Sequence, residues 1–410
     1  MATNAKQITH DKLLNNSKFL RIWLASLFSG LSVSIYLLLE QWYIVNHLDL
    51  NKYLGIIMMA TTLPRVLLMA FGGVLADRNK KTTIVFLSLL TRFILLLLMA
   101  LLFEIGLLKI APLFIFALLF GALDAFFWPA RDSLMPSLIH KEQLIQANSF
   151  IQTTNQMSMV LGPVLGALLI KNFSYTIGFI SIAFLLLIGA VLIFSVKEAP
   201  NESSQKSSSF IQDLLEGFKY VLESKFLIAI MITFIMTNLF FIGPLMLSIP
   251  LYADEKFGGE PFILSVLQST FALGMVTGAL LMGFLKIKVK RGSLIIGLLF
   301  LEGIALLLYS QLVYFWLSAI FLFIIGMAIS SVNIPVISLV QETVVEDKLG
   351  RILSLMTMVS MGLIPISYAL VSGLLNYNID IVTILAIASS LIIALSIILF
   401  AKGTSLKEIN

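Results

Sequence analysis

PARDSLMPSLIHKEQLIQAN, running from Pro129 to Asn148, is answered in the second half of the chain by PVISLVQETVVEDKLGRILS, from Pro335 to Ser354. Each stretch starts with a proline near the end of a long apolar run, passes through a short loop of mixed charge and enters a new apolar run. A chain that repeats its punctuation once per half reads as a duplication. The character of the repeated segments then decides the fold.

Those segments are apolar and long. A bilayer span needs about 20 mostly apolar residues. Six such windows occur in the first half, near 21–45, 53–76, 82–103, 110–130, 143–170 and 174–195. Six more follow near 226–252, 261–285, 292–311, 313–341, 350–373 and 380–402. With 59% hydrophobic and 12% charged residues, the chain carries roughly half the charge of a soluble domain, so lipid replaces water as its main solvent. The expected fold is an all-α membrane protein of twelve transmembrane helices in two pseudo-symmetric six-helix bundles. The halves are expected at 1–196 and 226–410, with a connector at 197–225.

The connector opens Lys197-Glu198-Ala199-Pro200 and continues through a run of serines, a flexible and solvated composition. It ends with Phe210, Leu214, Phe218 and Val221 at helical spacing beside Asp213, Glu216 and Lys219, as in an amphipathic helix lying on the inner membrane surface. The polar stretch from Met1 to Lys18 lacks an apolar run ending in a cleavage site, so no removable signal peptide is expected.

Lysine and arginine test the layout, because short cytoplasmic loops keep positive charge during insertion. With the N-terminus cytoplasmic, that side receives 21 of the 27, including Arg78, Lys80, Lys81, Lys286, Lys288, Lys290 and Arg291. The outer loops keep Lys52, Lys109, Lys171 and Lys256, and Arg65 and Arg92 stay inside spans. Both termini are therefore expected in the cytoplasm of a multi-pass membrane protein. The net charge of +5 is dispersed among loops and forms no nucleic-acid-reading cluster.

Several chemistries are disfavoured. There is no cysteine, and the three histidines, His10, His47 and His140, fall in tails or loops. Neither a phosphate-binding Gly-x-x-x-x-Gly-Lys-Ser/Thr loop nor a His-Glu-x-x-His zinc site occurs. No cofactor, no metal and no enzymatic reaction are expected, and an ion gradient is the natural energy source.

After the second span stands Gly72-Gly73-Val74-Leu75-Ala76-Asp77-Arg78-Asn79-Lys80-Lys81, followed by Thr82 and Thr83. Gly72 and Gly73 permit close helix approach, and Asp77 can face a helix N-terminus or a loop cation. The fifth span holds Gly162-Pro163 and, one turn on, Gly166: a missing backbone donor beside a small-residue face. The second half carries Gln341-Glu342 and Leu349-Gly350-Arg351 around the loop into span eleven. On these motifs the chain resembles the major facilitator superfamily, and within it the twelve-span drug exporters of the macrolide-efflux type. That resemblance implies a gate at the inner face formed by Gly73, Asp77, Arg78, Lys81 and Arg351, with Arg351 facing Asp77 across the halves. It also implies an export element at Gly162, Pro163 and Gly166, and a central cavity lined by spans one, four, seven and ten.

Ionisable residues at membrane depth are functional candidates by default. At 1.5 Å per residue, Arg65, Arg92, Asp124 and Glu302 fall near the midplane and Glu40 in the outer third. Asp124 and Glu40, on spans the resemblance puts at the cavity, are the candidates for proton or cation handling, with Arg65 as a neutralising partner of Asp124. Arg92 and Glu302, on supporting spans, are expected to pair between helices or to snorkel. Candidate cavity residues are Tyr36, Gln41, Trp42, Gln152, Asn155, Asn238, Gln268 and Asn333.

The reading is a secondary active transporter, a proton-coupled exporter of lipophilic drugs or toxic small molecules working by alternating access. Its partners are the lipophilic substrate, protons and membrane lipids, and it functions as a monomer. A siderophore or a lysolipid as cargo, or a transport-inactive membrane sensor or assembly partner, are the alternatives.

Overall fold

The computed structural model describes residues 13–140, 143–196, 210–285 and 290–401. Of a few residues inside helices, Asp77, Phe210, Asp213 and Leu214 among them, it describes the backbone only. The described residues are almost entirely helical and contain twelve helices long and apolar enough to cross a membrane.

Six lie in the N-terminal half: α1 (Ser17–Trp42), α2 (Leu54–Arg78), α3 (Lys81–Glu104), α4 (Ile110–Leu134), α5 (Leu144–Asn172) and α6 (Tyr175–Phe194). The connector contributes α7 (Phe210–Glu223). The C-terminal half begins with one span built from α8 (Lys225–Met236), a π-helical turn (Thr237–Phe241) and α9 (Ile242–Glu255). It continues with α10 (Pro261–Leu285), α11 (Arg291–Gln311), α12 (Phe315–Thr343), α13 (Glu346–Asn376) and α14 (Ile381–Ala401). The boundaries differ from the hydropathy windows by a few residues. Span one starts earlier, at Ser17, because the Asn16 side chain caps it by accepting from the Lys18 and Phe19 amides, and a π-helical turn extends it to His47.

Alternating direction puts the starts of α1, α3 and α5 and the ends of α2, α4 and α6 at one end of the bundle, the near end, with the connector helix. The opposite end is the far end. The same layout holds in the C-terminal half.

The duplication is visible in packing. Helices α2 and α4 cross at glycines whose missing side chain makes room for a backbone carbonyl: Gly72 faces the Ala125 oxygen and Gly121 the Thr61 oxygen. Their counterparts α10 and α12 do the same, with Gly274 against Phe323, Gly278 against Met327 and Gly326 against Phe271. Helix α3 packs on α4 and α6, and its counterpart α11 on α12 and α14.

Apolar burial then distinguishes the two ends. One continuous core fills the N-terminal half and crosses to the far end of the C-terminal half, joining residues such as Tyr36 and Leu113 to Leu247, Tyr252 and Tyr309. A separate core, around Leu227, Leu299, Val340 and Ile352, fills the near end of the C-terminal half. The halves share a core at the far end, and the space between them opens toward the near end. Large apolar residues such as Phe184, Phe194 and Trp316 remain exposed on the outer surface, as lipid requires.

Candidate functional site

At the far end the halves are joined by polar contacts. Asn46 Nδ2 donates to Asp254 Oδ1 (2.7 Å), Asn51 Nδ2 to Glu255 Oε1 (2.8 Å) and Lys52 Nζ to Asn378 Oδ1 (2.9 Å), while Ser372 Oγ donates to the Lys52 carbonyl. Lys171 pairs with Glu260 at 3.6 Å. Deeper in, Gln268 Nε2 donates to Gln41 Oε1 (2.7 Å) and Ser269 Oγ to the Val160 carbonyl (2.7 Å).

Beneath this seam lies a central cavity of about 380 Å³ between the halves. Helices α1 and α5 give most of its wall, including Ser34, Gln41, Asn155 and Pro163; α2 and α4 bring Arg65 and Trp128, and α9 and α10 bring Met246 and Gln268. Several polar atoms here are buried without a partner: Arg65 Nε, Trp128 Nε1 and Asn155 Oδ1. Two donors and one acceptor are thus available to a bound molecule.

Behind the Arg65 wall is a buried charge cluster. Arg92, wholly buried, donates from Nη1 to Asp124 Oδ1 at 2.9 Å. It anchors its other nitrogens on Ser88, from Nε to the carbonyl (3.3 Å) and from Nη2 to Oγ (3.2 Å), with its guanidinium carbon 4.9 Å from the Phe127 ring centre. Arg65 Nη1 lies 3.6 Å from Asp124 Oδ2, and its side chain is 34% exposed, so it bridges the buried pair and the cavity. Trp128 lies between two guanidinium groups, 5.6 Å from Arg65 and 4.2 Å from Arg131. One carboxylate therefore stands between two guanidiniums, a local excess of one positive charge.

Glu40 is fully buried and satisfied, accepting from Tyr36 Oη at 2.6 Å and Thr61 Oγ1 at 3.3 Å. At 0% exposure it does not reach outer water in this structure, contrary to what its depth alone permits. Glu302 is buried in the C-terminal half, where it lines a second cavity of about 340 Å³ with Asn238 and Asn333. Its Oε2 has no partner.

The cavity candidates therefore sort by location. Gln41, Asn155 and Gln268 line the central cavity, Asn238 and Asn333 the second one. Tyr36 and Trp42 are buried in packing, Tyr36 stacked on Phe120 with ring centres 4.3 Å apart, and Gln152 is exposed outside both cavities. The expected close approach at the Gly72-Gly73 pair is carried by Gly72 alone, since nothing lies within 4 Å of a side chain added at Gly73. The Asp77 side chain lies outside the described residues, as do His10, Lys286, Lys288 and the connector serines. Arg78 is exposed at the end of α2, and Lys81 is buried at the start of α3. Arg351 is held by the connector helix, in an ion pair with Glu216. Gly162 and Gly166 pack on α1, against Ser34 and against Leu38 and Leu39, and Pro163 lines the cavity.

Sequence reasoning passed over Trp128, Thr61 and the direct Arg92–Asp124 bond. The signal for the last was present: opposite charges at matching midplane depth on consecutive spans. Among the described residues no group of three or more His, Asp or Glu side chains could hold a metal ion.

Comparisons with known proteins agree with this geometry. The model of the Major Facilitator Superfamily matches residues 22–369 and 245–405. Macrolide efflux protein A of Streptococcus pyogenes is 28% identical over 282 residues, covering 67% of this chain and 68% of its own. The Staphyloferrin A transporter of Staphylococcus aureus is 21% identical over 339 residues, covering 81% and 83%. The solved nucleoside transporter NupG superposes with a TM-score of 0.72 over 94% of this chain and 98% of its own, at 14% identity, a likeness of fold alone. With both halves matched and twelve spans around a one-sided cavity, the chain is a membrane transporter rather than an enzyme, and it belongs to the Major Facilitator Superfamily.

Proposed function

We propose that the protein exports lipophilic small molecules, macrolide-like compounds among them, from the bacterial cytoplasm across the inner membrane in exchange for protons. The observation that carries this reading is a mostly apolar cavity between the halves, sealed at one end, with an ion-paired carboxylate directly behind its wall. Similarity to Macrolide efflux protein A and the Gly162-Pro163 element support the outward direction.

In this reading both termini are cytoplasmic, the two six-helix halves move as units, and the near end is the cytoplasmic mouth, so the structure is open inward. Substrate enters between the halves and rests against Arg65, Trp128 and Asn155. Arg65 is the mobile partner of Asp124: its ion pair is longer than that of Arg92 and it reaches the cavity. A proton arriving at Asp124 takes the place of Arg65, and the freed guanidinium turns to the cavity. Rocking of the halves then breaks the far-end seam and opens the site outward. Glu40, tied to Tyr36 on its own helix and Thr61 on α2, is a second proton-handling group. Arg351 and the loop from Gly73 to Lys81 form the inner gate, and the monomer suffices for transport.

Transport into proteoliposomes under an imposed pH gradient, screened with a macrolide, a dye and a lysolipid, tests this. Uphill movement of at least one is expected, together with loss of proton dependence in Asp124→Asn. Failure of all three sinks the exporter reading, and intact proton coupling in the variant removes Asp124 from it. The absence of native cysteine makes orientation easy to check: single cysteines at Gly106 and His140 are expected to label from opposite faces. One observation favours a second cargo. The partly exposed guanidinium of Arg65 suits an anionic chelator, consistent with the likeness to the Staphyloferrin A transporter. An arm with the iron-free siderophore in the same assay separates the two.

A further inference from the structure

The second cavity lies wholly within the C-terminal half, walled by the α8–α9 span, α11, α12 and α13. Glu302 on α11 is 1% exposed, while Ile337 and Met361 on the same lining are 41% and 37% exposed and mark its rim. Oxygen atoms dominate the polar part. Glu302 Oε2, Thr237 Oγ1 and Ser360 Oγ are all buried without a partner. Asn238 donates from Nδ2 to the Phe234 carbonyl at 2.9 Å, and its side-chain oxygen is a further acceptor it can offer. The rest is apolar or soft: Phe234, Ile242, Leu299, Met356.

No lining residue apart from Glu302 carries a charge. On the surrounding helices the other described charges stand at the two ends: Lys225 opening α8, Arg291 paired with Glu342, Lys348, and Arg351 paired with Glu216 at the near end, and Asp254 and Glu255 in the far-end seam. Helix α14, packed behind α11, contains none between Ile381 and Ala401. A buried carboxylate of this kind is costly unless a cation, a proton or water meets it.

We propose that this cavity is a binding site for an organic ammonium ion, with Glu302 as its counter-charge and the Asn238, Thr237 and Ser360 oxygens completing the shell. A volume of about 340 Å³ lies in the range of small-molecule pockets. The apolar remainder fits the hydrocarbon part of an amphiphilic amine, whereas a bare metal ion would find one carboxylate and few further ligands. The site is separate from the central cavity, and its occupancy does not depend on the export reading.

The test is equilibrium binding to purified full-length protein in lipid nanodiscs, using phenylbutyltrimethylammonium and its uncharged carbon isostere. The cation is expected to bind at least about tenfold more tightly than the isostere. Glu302→Gln is expected to abolish that preference while keeping isostere affinity within about twofold. In wild-type protein, a hydrophobic carbodiimide that modifies buried carboxyl groups provides a readout free of mutation. The ammonium is expected to slow labelling of Glu302, mapped by mass spectrometry, and to leave labelling of Glu40 unchanged. Equal affinity for the two probes, a preference that survives Glu302→Gln, or labelling of Glu302 indifferent to the cation would each overturn the site.

Discussion

The two halves repeat one architecture and differ in their buried charge. Arg92 stands eleven residues after the first residue of α3, and Glu302 stands at the same place in α11, so the corresponding supporting helices carry opposite charges at the same depth. In the N-terminal half that charge is answered by Asp124, five residues before Pro129. Five residues before Pro335 in the C-terminal half stands Ser330, and Glu302 is left without a partner. One half pairs its buried charge internally; the other holds an acceptor in reserve. Duplication preserved the packing frame and let the electrostatics diverge, which is how one fold can give its two halves different work.

The largest expected effect breaks this comparison directly. Asp124→Leu leaves Arg92 buried without its carboxylate, and loss of one partner of a buried pair costs about 3–5 kcal/mol. Glu302→Leu strands nothing, so the C-terminal half is expected to keep or gain stability. Unfolding in detergent, followed by tryptophan fluorescence, gives both numbers, and equal losses would show that the halves do not differ in this way.

A second measurement asks whether the frame is as symmetric as the charges are not. Gly72→Ala and its counterpart Gly278→Ala each push a methyl group against a carbonyl oxygen and are expected to cost about 1–3 kcal/mol. Gly73→Ala, with open space around it, is expected to stay within about 0.5 kcal/mol.

A smaller effect than the two glycine clashes concerns the last span of each half. Ser174 Oγ caps α6 by accepting from the Ile177 amide at 3.3 Å, whereas Asp380 caps α14 by accepting from the Thr383 amide at 3.0 Å and the Thr383 hydroxyl at 2.6 Å. These bonds hold the Asp380 carboxyl below its usual range. Its contribution is therefore present at neutral pH and lost as pH falls through the lowered value. Asp380→Ala is expected to cost about 1 kcal/mol at pH 7. Asp380→Ser is expected to keep most of the stability and remove the acid dependence.

The spans were legible because a bilayer imposes one solvent over about 20 residues, and mean composition suffices to detect that. The approach of Arg65 to Asp124 was legible from their matching positions along the spans, which helix rise supplies. Register was not. Whether Gly72 or Gly73 meets the neighbouring helix depends on about 100° of rotation per residue, which apolar sequence does not report. Tyr36 and Trp42 read as cavity residues by composition, yet helix facing buries them. Arg92 was placed on a supporting helix with pairing or snorkelling open to it, and only the packing of α3 on α4 revealed its partner. The far-end seam joins loop and helix-end residues distant in sequence, such as Lys52 and Asn378, and no local pattern announces it.

The π-helical turn at Thr237–Phe241 has a consequence for how span seven is inherited and altered. A π turn accommodates one more residue than an α turn, so it advances the phase of everything that follows. Helix α8 serves the near core and α9 the core at the far end, and one extra residue between them is worth about 100° of phase. Removing a single residue there would act as a twist more than a shortening. It would swing Pro244, Leu247 and Tyr252 out of their places while barely changing the span's length. The counterpart in span one, Tyr43–His47, lies at the helix end, where the same extra residue rotates only a loop.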